Sequence, residues 1–248
     1  MDIPRIFTIS ESEHRIHNPF TPEKYATLGR VLRMEPGWRI LDLGSGSGEM
    51  LCTWARDYGI TGVGIDMSQL FSQQAKMRAQ QLGVSDRVNF IHNDAAGYVA
   101  EEKCDVAACV GASWIAGGVA GTLELLNRSL KPGGILLLGE PYWRQLPPSE
   151  NVAQQCGATS LADFLSLPEL VGYFDQLGYD VVEMVLADQE GWDRYEAAKW
   201  LTMRRWLQQH PDDREVDEIR AHLTAWPKRH VMYTREYVGW GVFALMAR

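Results

Sequence analysis

Between residues 39 and 112, short and almost uninterrupted apolar runs alternate with segments whose apolar residues recur every three or four positions. Strands covered on both faces read as the first kind and one-sided helices as the second, so the alternation predicts a parallel sheet with helical crossovers. The runs are RILDL (39–43), TGVGID (61–66), VNFIHN (88–93) and CDVAACV (104–110). After Asp66, a helix capped by Ser68 carries Phe71, Ala75, Ala79 and Leu82 on one stripe and stops at Gly83. A further helix bears Leu123, Leu126 and Leu130 before LKPGG (130–134) halts it and releases the strand ILLLGE (135–140). Ser166 and Glu169 have the spacing of a capping box ahead of a helix with Leu170, Phe174 and Leu177, closed by Gly178 before YDVVEMVLA (179–187). GWGVFALMA (239–247) is the final strand.

About fifty residues separate the last two strands, far more than a hairpin needs. Trp192, Tyr195, Trp200, Met203, Trp206 and Leu207 make this stretch, 189–237, an inserted helical cap over one end of the sheet. Thr21 and Pro22 have the character of an N-cap and first-turn proline for a helix reaching about Met34, and the residues before them form an arm. The expected organisation is one globular unit: arm and helix at 1–34, core sheet and helices at 35–188 and 238–248, and the cap between.

The most informative segment is Asp42-Leu43-Gly44-Ser45-Gly46-Ser47-Gly48, placed where the first strand turns into a helix. Glycines there let the backbone approach a ligand, and the helix start offers free N–H groups. Two acids argue against a dinucleotide: Glu49 stands where the third glycine of G-x-G-x-x-G would fall, and Asp42 would repel a pyrophosphate. Asp42 suits a ligand bearing an ammonium group. Asp66 ends the second strand, where a carboxylate can accept both ribose hydroxyls, and Met67 can pack on a purine face. Asn93-Asp94-Ala95 and Cys109-Val110-Gly111 end the next two strands, so all four points share the carboxyl edge of the sheet.

These segments, with LKPGG, resemble the class I S-adenosylmethionine-dependent methyltransferases, small-molecule branch, over residues 39 to 187 and the last strand. The resemblance implies an α/β fold with a doubly wound, mostly parallel seven-stranded sheet and an antiparallel last strand. It implies S-adenosylmethionine as cofactor, with Asp42 near the methionine amino group and Gly44, Ser45 and Gly46 contouring the backbone beside it. Asp66 would hold the ribose, Met67 would pack on adenine, Asp94 and the Ala95 N–H would read the adenine edge, and the Cys109 carbonyl would face the ammonium. Neither an Asn-Pro-Pro-Tyr segment nor a Pro-Cys nucleophile is present, which disfavours base and amide acceptors.

The net charge of −8 opposes nucleic-acid binding, which needs a basic face, and favours a small, neutral or cationic acceptor. No apolar stretch is long enough to span a membrane and the N-terminus lacks signal-peptide character, so a cytoplasmic protein is expected. Cys52, Cys104, Cys109 and Cys156 have no metal-ligand spacing, and no metal is expected. The candidate general bases are Glu140 at the end of ILLLGE, then His14 and His17 on the arm. Trp192, Tyr195 and Tyr142 are the candidate acceptor-pocket residues. Two other functions stay open: a protein that binds S-adenosylmethionine without catalysis, and an NAD-dependent oxidoreductase. Oligomeric state is not legible.

Overall fold

The computed structural model describes residues 3–248. Seven strands form one sheet: β1 (Arg39–Leu43), β2 (Thr61–Asp66), β3 (Val88–His92), β4 (Cys104–Val110), β5 (Leu130–Trp143), β6 (Tyr179–Leu186) and β7 (Val238–Ala247). Their order is β3-β2-β1-β4-β5-β7-β6, with β7 antiparallel to both neighbours and every other pairing parallel. Strand order reverses between β1 and β4, where Asp42 lies opposite Ala108. In open α/β sheets that crevice is where ligands bind.

Helices cover both faces. On one, α2 (Pro22–Val31), α3 (Glu49–Tyr58) and α4 (Gln69–Gln81) bury Leu28, Leu51, Trp54 and Ala75 against Ile40, Val106 and Leu137. On the other, α5 (Val119–Asn127) and α7 (Leu167–Gln176) bury Leu123, Leu126, Leu170 and Phe174 against Leu41, Leu136 and Phe243. Local signals set several boundaries. The Ser68 hydroxyl accepts from Phe71 N to start α4, and Ser166 and Glu169 form the reciprocal capping box of α7.

Three elements differ from their sequence-based expectation. The arm contains a helix not assigned from the sequence, α1 (Arg5–Glu11), whose Ile9 packs with Met203 and Ile219 of the cap. LKPGG is absorbed into β5 as an irregularity, with Leu130 opposite Cys104 and Ile135 opposite Val106, so Leu130 belongs to the strand rather than to a helical stripe. Pro141, Tyr142 and Trp143 extend β5 against Trp240, Gly239 and Val238 instead of following the strand. Pro141 lies past the last β4 pairing, Val110 with Gly139, and so has a strand on one side only, the edge position that proline tolerates.

Between β6 and β7 run α8 (Gln189–Gln209) and α9 (Val216–Arg229), then a π-helical turn over His230–Thr234. A short α6 (Glu150–Gln155) follows β5. Among the described residues no helix is long and apolar enough to cross a membrane, and no group of three His, Cys, Asp or Glu could hold a metal ion.

Candidate active site

The glycine turn is fastened to the neighbouring strand by its own backbone. Gly44 N and Ser45 N both donate to the Ile65 carbonyl, at 2.8 and 3.0 Å, and Gly46 N donates to Asp66 Oδ2 at 2.8 Å. Asp66 Oδ1 accepts from Ser68 N at 2.8 Å, so one carboxylate ties the turn to the start of α4. Gly44 and Gly46 have φ of 77° and 53°, where side chains are strained. A Cβ on Gly44 would lie 2.8 Å from the Ala112 Cβ, and one on Gly46 would lie 2.6 Å from the His17 ring. The turn is therefore walled by the β4 loop on one side and by the arm on the other.

Two clefts meet at this turn. The outer one, about 630 Å3, is lined by Asp66, Met67, Asp94 and Ala95 below, by Gly111, Ala112, Trp114 and Ile115 after β4, and by Ile3, Phe7 and Phe71. The inner one, about 340 Å3, is lined by Asp42, Ser45, Glu49, Met50, Tyr25 and Asn18. Gly44, Gly46, His17 and Val110 border both. An elongated ligand with an apolar, planar end and a charged end fits this pair.

Charge distinguishes the inner end. Asp42 is buried and its Oδ1 has no hydrogen-bond partner. Burial, reinforced by the nearby Asp66 charge, raises its pKa to about 7. Asp66 is raised by burial too, against the opposing hydrogen bonds of Ser68 and Gly46. Glu49 is already matched: Arg78 donates to both its oxygens, at 2.7 and 2.8 Å. An unpaired carboxylate in a closed space calls for a cation, and a pyrophosphate would aggravate the deficit.

Comparison with known proteins agrees with this geometry. A methyltransferase-domain family profile matches residues 40–134. A solved methyltransferase from Geobacter sulfurreducens, an S-adenosylmethionine-dependent enzyme in complex with S-adenosyl-L-homocysteine, is 73% identical with a TM-score of 0.99, covering 100% of this chain and 99% of its own. The chain belongs to the class I S-adenosylmethionine-dependent methyltransferases. A second such enzyme, from Thiobacillus denitrificans and also in complex with S-adenosyl-L-homocysteine, is 70% identical, with a TM-score of 0.98 and full coverage of both chains. An uncharacterised Escherichia coli (strain K12) protein, YjhP, is 79% identical over all 248 residues and the whole of its own length. The oxidoreductase reading is thereby dropped, and the protein is an S-adenosylmethionine-dependent methyltransferase.

Within this methyltransferase the remaining residues fall into separate places. Cys109 lines neither cleft; its thiol is buried on the other face of the sheet, and the next residues, Val110 to Ala112, form the wall instead. His17 lies above the glycine turn. Its Nε2 is 2.8 Å from Ser47 Oγ, its Nδ1 is 3.2 Å from Glu11 Oε2, and its ring lies 4.2 Å from that of Phe71. His14 points elsewhere, with Nε2 3.3 Å from the Tyr195 carbonyl. Tyr195 donates its hydroxyl to Glu11 Oε1 at 2.6 Å, so the tyrosine joins the arm to α8.

Glu140 is not at the end of its strand but buried within β5, opposite Gly241 of β7, and its Oε1 has no partner among the described residues. Burial raises its pKa to about 7, a shift the Ser113 side chain partly offsets. Glu140, Tyr142, Trp192 and Tyr195 line neither of the two clefts. Tyr142 packs in the α5/α7 core, and Trp192 packs between the main core and the smaller Trp143 cluster. Sequence reasoning missed Phe7, Phe71, Trp114 and Glu11. Only Phe71 had a sequence signal, and its helical stripe assigned it to the core.

Proposed function

We propose that the acceptor is a small molecule and that the methyl group passes to it by in-line displacement, in the cytoplasm. The observation that carries the first part is the cover over the cofactor clefts: His17 seals the glycine turn, and Ile3 and Phe7 close the outer end. A macromolecule would have to displace the arm. The formal charge of −8 further opposes a nucleic-acid partner, and the four free cysteines suit a reducing compartment.

In this reading Asp42 holds the methionine amino group, and the backbone at Gly44, Ser45 and Gly46 follows the methionine chain. Asp66, whose two oxygens keep lone pairs beyond their backbone bonds, accepts the ribose hydroxyls. Met67 packs on the adenine, with Asp94 and Ala95 at its edge. Bound S-adenosylmethionine supplies a methyl group on a sulfonium, a leaving group that needs no covalent help from the protein. The protein's part is placement: holding the acceptor atom in line with the methyl supplies on the order of 7–11 kcal/mol. An acceptor that carries a proton must lose it, and we assign that proton to Glu140, buried in β5 behind the wall that follows β4. At about 7, its pKa lies where a general base works best near neutrality.

Methyl-labelled S-adenosylmethionine incubated with the enzyme and a metabolite extract tests this. Label is expected in the small-molecule fraction, and label confined to protein or nucleic acid would sink the proposal. Glu140→Gln is expected to cut kcat by roughly 10²- to 10⁴-fold at unchanged S-adenosylhomocysteine affinity. Wild-type activity in that variant would remove Glu140 as the base.

A further inference from the structure

The cap holds a cleft of its own, about 730 Å3, between the C-terminal end of α6, one face of α8 and the junction of α9 with the π-helical turn. It shares no residue with the two cofactor clefts. Trp192, Trp226, Lys199, Glu196, Arg229 and His230 form much of its wall.

The charges in this wall are unevenly matched. Lys199 Nζ lies 2.9 Å from Glu196 and 3.4 Å from Glu11, so carboxylates already satisfy it. Arg229 is held only by neutral carbonyls: Nε and Nη2 donate to Gln155 O at 3.1 and 3.0 Å, and Nη2 to Gln154 O at 3.0 Å. Among the described residues it forms no ion pair, and its Nη1 donors have no protein acceptor. A half-buried guanidinium fixed on one edge and open on the other is arranged to take a carboxylate.

Two buried atoms of the same wall, Trp192 Nε1 and His230 Nδ1, lack partners among the described residues. An indole N–H can only donate, so the group missing there is an acceptor. Asp193 fixes the other side of the His230 ring at Nε2, 2.7 Å away. Buried polar groups left unpaired in native structures are uncommon and often mark function. Pro227 removes one N–H inside α9, and the chain then winds as a π-turn, a form frequent at functional sites.

We propose that this cap cleft binds a small aromatic carboxylate, with its carboxylate on the free edge of Arg229 and its ring between the indoles of Trp192 and Trp226. The two indoles supply π-faces, which favour a planar ligand over an aliphatic acid of the same charge. Trp192 also packs against the core cluster containing Phe20 and Trp240, so its position is shared between this cleft and the sheet.

Calorimetric titration of the whole protein, saturated with S-adenosylhomocysteine so that the cofactor clefts are filled, tests the site. The probes are benzoate and indole-3-acetate against the matched amines, benzylamine and tryptamine. The carboxylates are expected to bind and the amines not. Arg229→Gln is expected to weaken carboxylate binding at least tenfold while S-adenosylhomocysteine affinity stays within twofold. Because Arg229 also holds the α6 carbonyls, Trp226→Ala is the second variant; it removes a ring wall without touching that anchor and is expected to weaken indole-3-acetate more than benzoate. Equal binding of acids and amines, no binding of either acid at millimolar concentration, or indifference to both variants would overturn the proposal. Repeating the incubation with labelled S-adenosylmethionine in place of S-adenosylhomocysteine separates two sources of this chemistry: a methylated probe marks an acceptor, and an unmethylated bound probe marks an effector.

Discussion

At the residue scale, Asp42 and Asp66 carry opposite kinds of cost. Asp42 is buried, unpartnered and raised to about 7, so its charged form is disfavoured until a cation arrives. Binding an ammonium group favours the ionised form, and below pH 7 a proton must first be removed. The affinity for S-adenosylhomocysteine should therefore be level above pH 7 and fall by roughly tenfold per pH unit below it. A pH-independent dissociation constant from pH 8 to 5 would count against the ammonium contact. Asp42→Asn should raise the melting temperature of the ligand-free protein, since it removes a buried charge, while weakening cofactor binding. Asp66, by contrast, already accepts two backbone N–H groups. If Asp66 holds the ribose as proposed, its replacement by alanine weakens cofactor binding by about 1.5–3 kcal/mol, and it also frees the glycine turn. Unchanged affinity in a folded Asp66→Ala protein would refute the assignment.

At the scale of elements, the C-terminal end of α1 is tied beside the glycine turn through a buried carboxylate. Glu11 is met by His17, Tyr195 and Lys199, and His17 passes the contact on to Ser47 in the glycine turn. Gln74 of α4 adds a second tie, donating to the Ser12 carbonyl at 2.7 Å. Burial alone would raise the Glu11 pKa, but the His17 hydrogen bond and the charges of Lys199, His14 and His17 outweigh it and bring it down to about 2. A depressed carboxylate stabilises the fold fully above its unfolded pKa, near 4.5, and loses that contribution as pH falls toward about 2. The arm should thus stay docked across the neutral range and loosen only in acid. Glu11→Gln keeps the shape and removes the charge, so stopped-flow release of S-adenosylhomocysteine should be severalfold faster. An unaltered release rate would mean that the arm does not gate the cofactor.

For the molecule as a whole, saturating S-adenosylhomocysteine, at one hundred times its dissociation constant, should add about 2.7 kcal/mol of stability, and NAD should add none. A thermal shift with NAD alone would contradict the family assignment at the level of the ligand. The sheet was legible because each strand is specified locally: RILDL and CDVAACV are mostly apolar, and Ser68 and Ser166 cap the helices that follow β2 and precede β6. The glycine turn and the acid at Asp66 were legible for the same reason, since turn geometry and strand ends follow from adjacent residues. The extension of β5 through Pro141 was not, because it depends on Gly239 and Trp240 lying opposite, about a hundred residues away. Nor was the meeting of arm and cap. Glu11 and Tyr195 are 184 positions apart, and nothing in either segment names the other. The sequence alone determined the sheet and its ligand edge, where information is carried over a few residues by periodicity, caps and turns. Only the tertiary structure decided what covers that edge, that His17 meets the turn while His14 faces α8, and that Arg229 finds no anion among the described residues. Those outcomes depend on burial and pairing between distant segments, which no local pattern encodes.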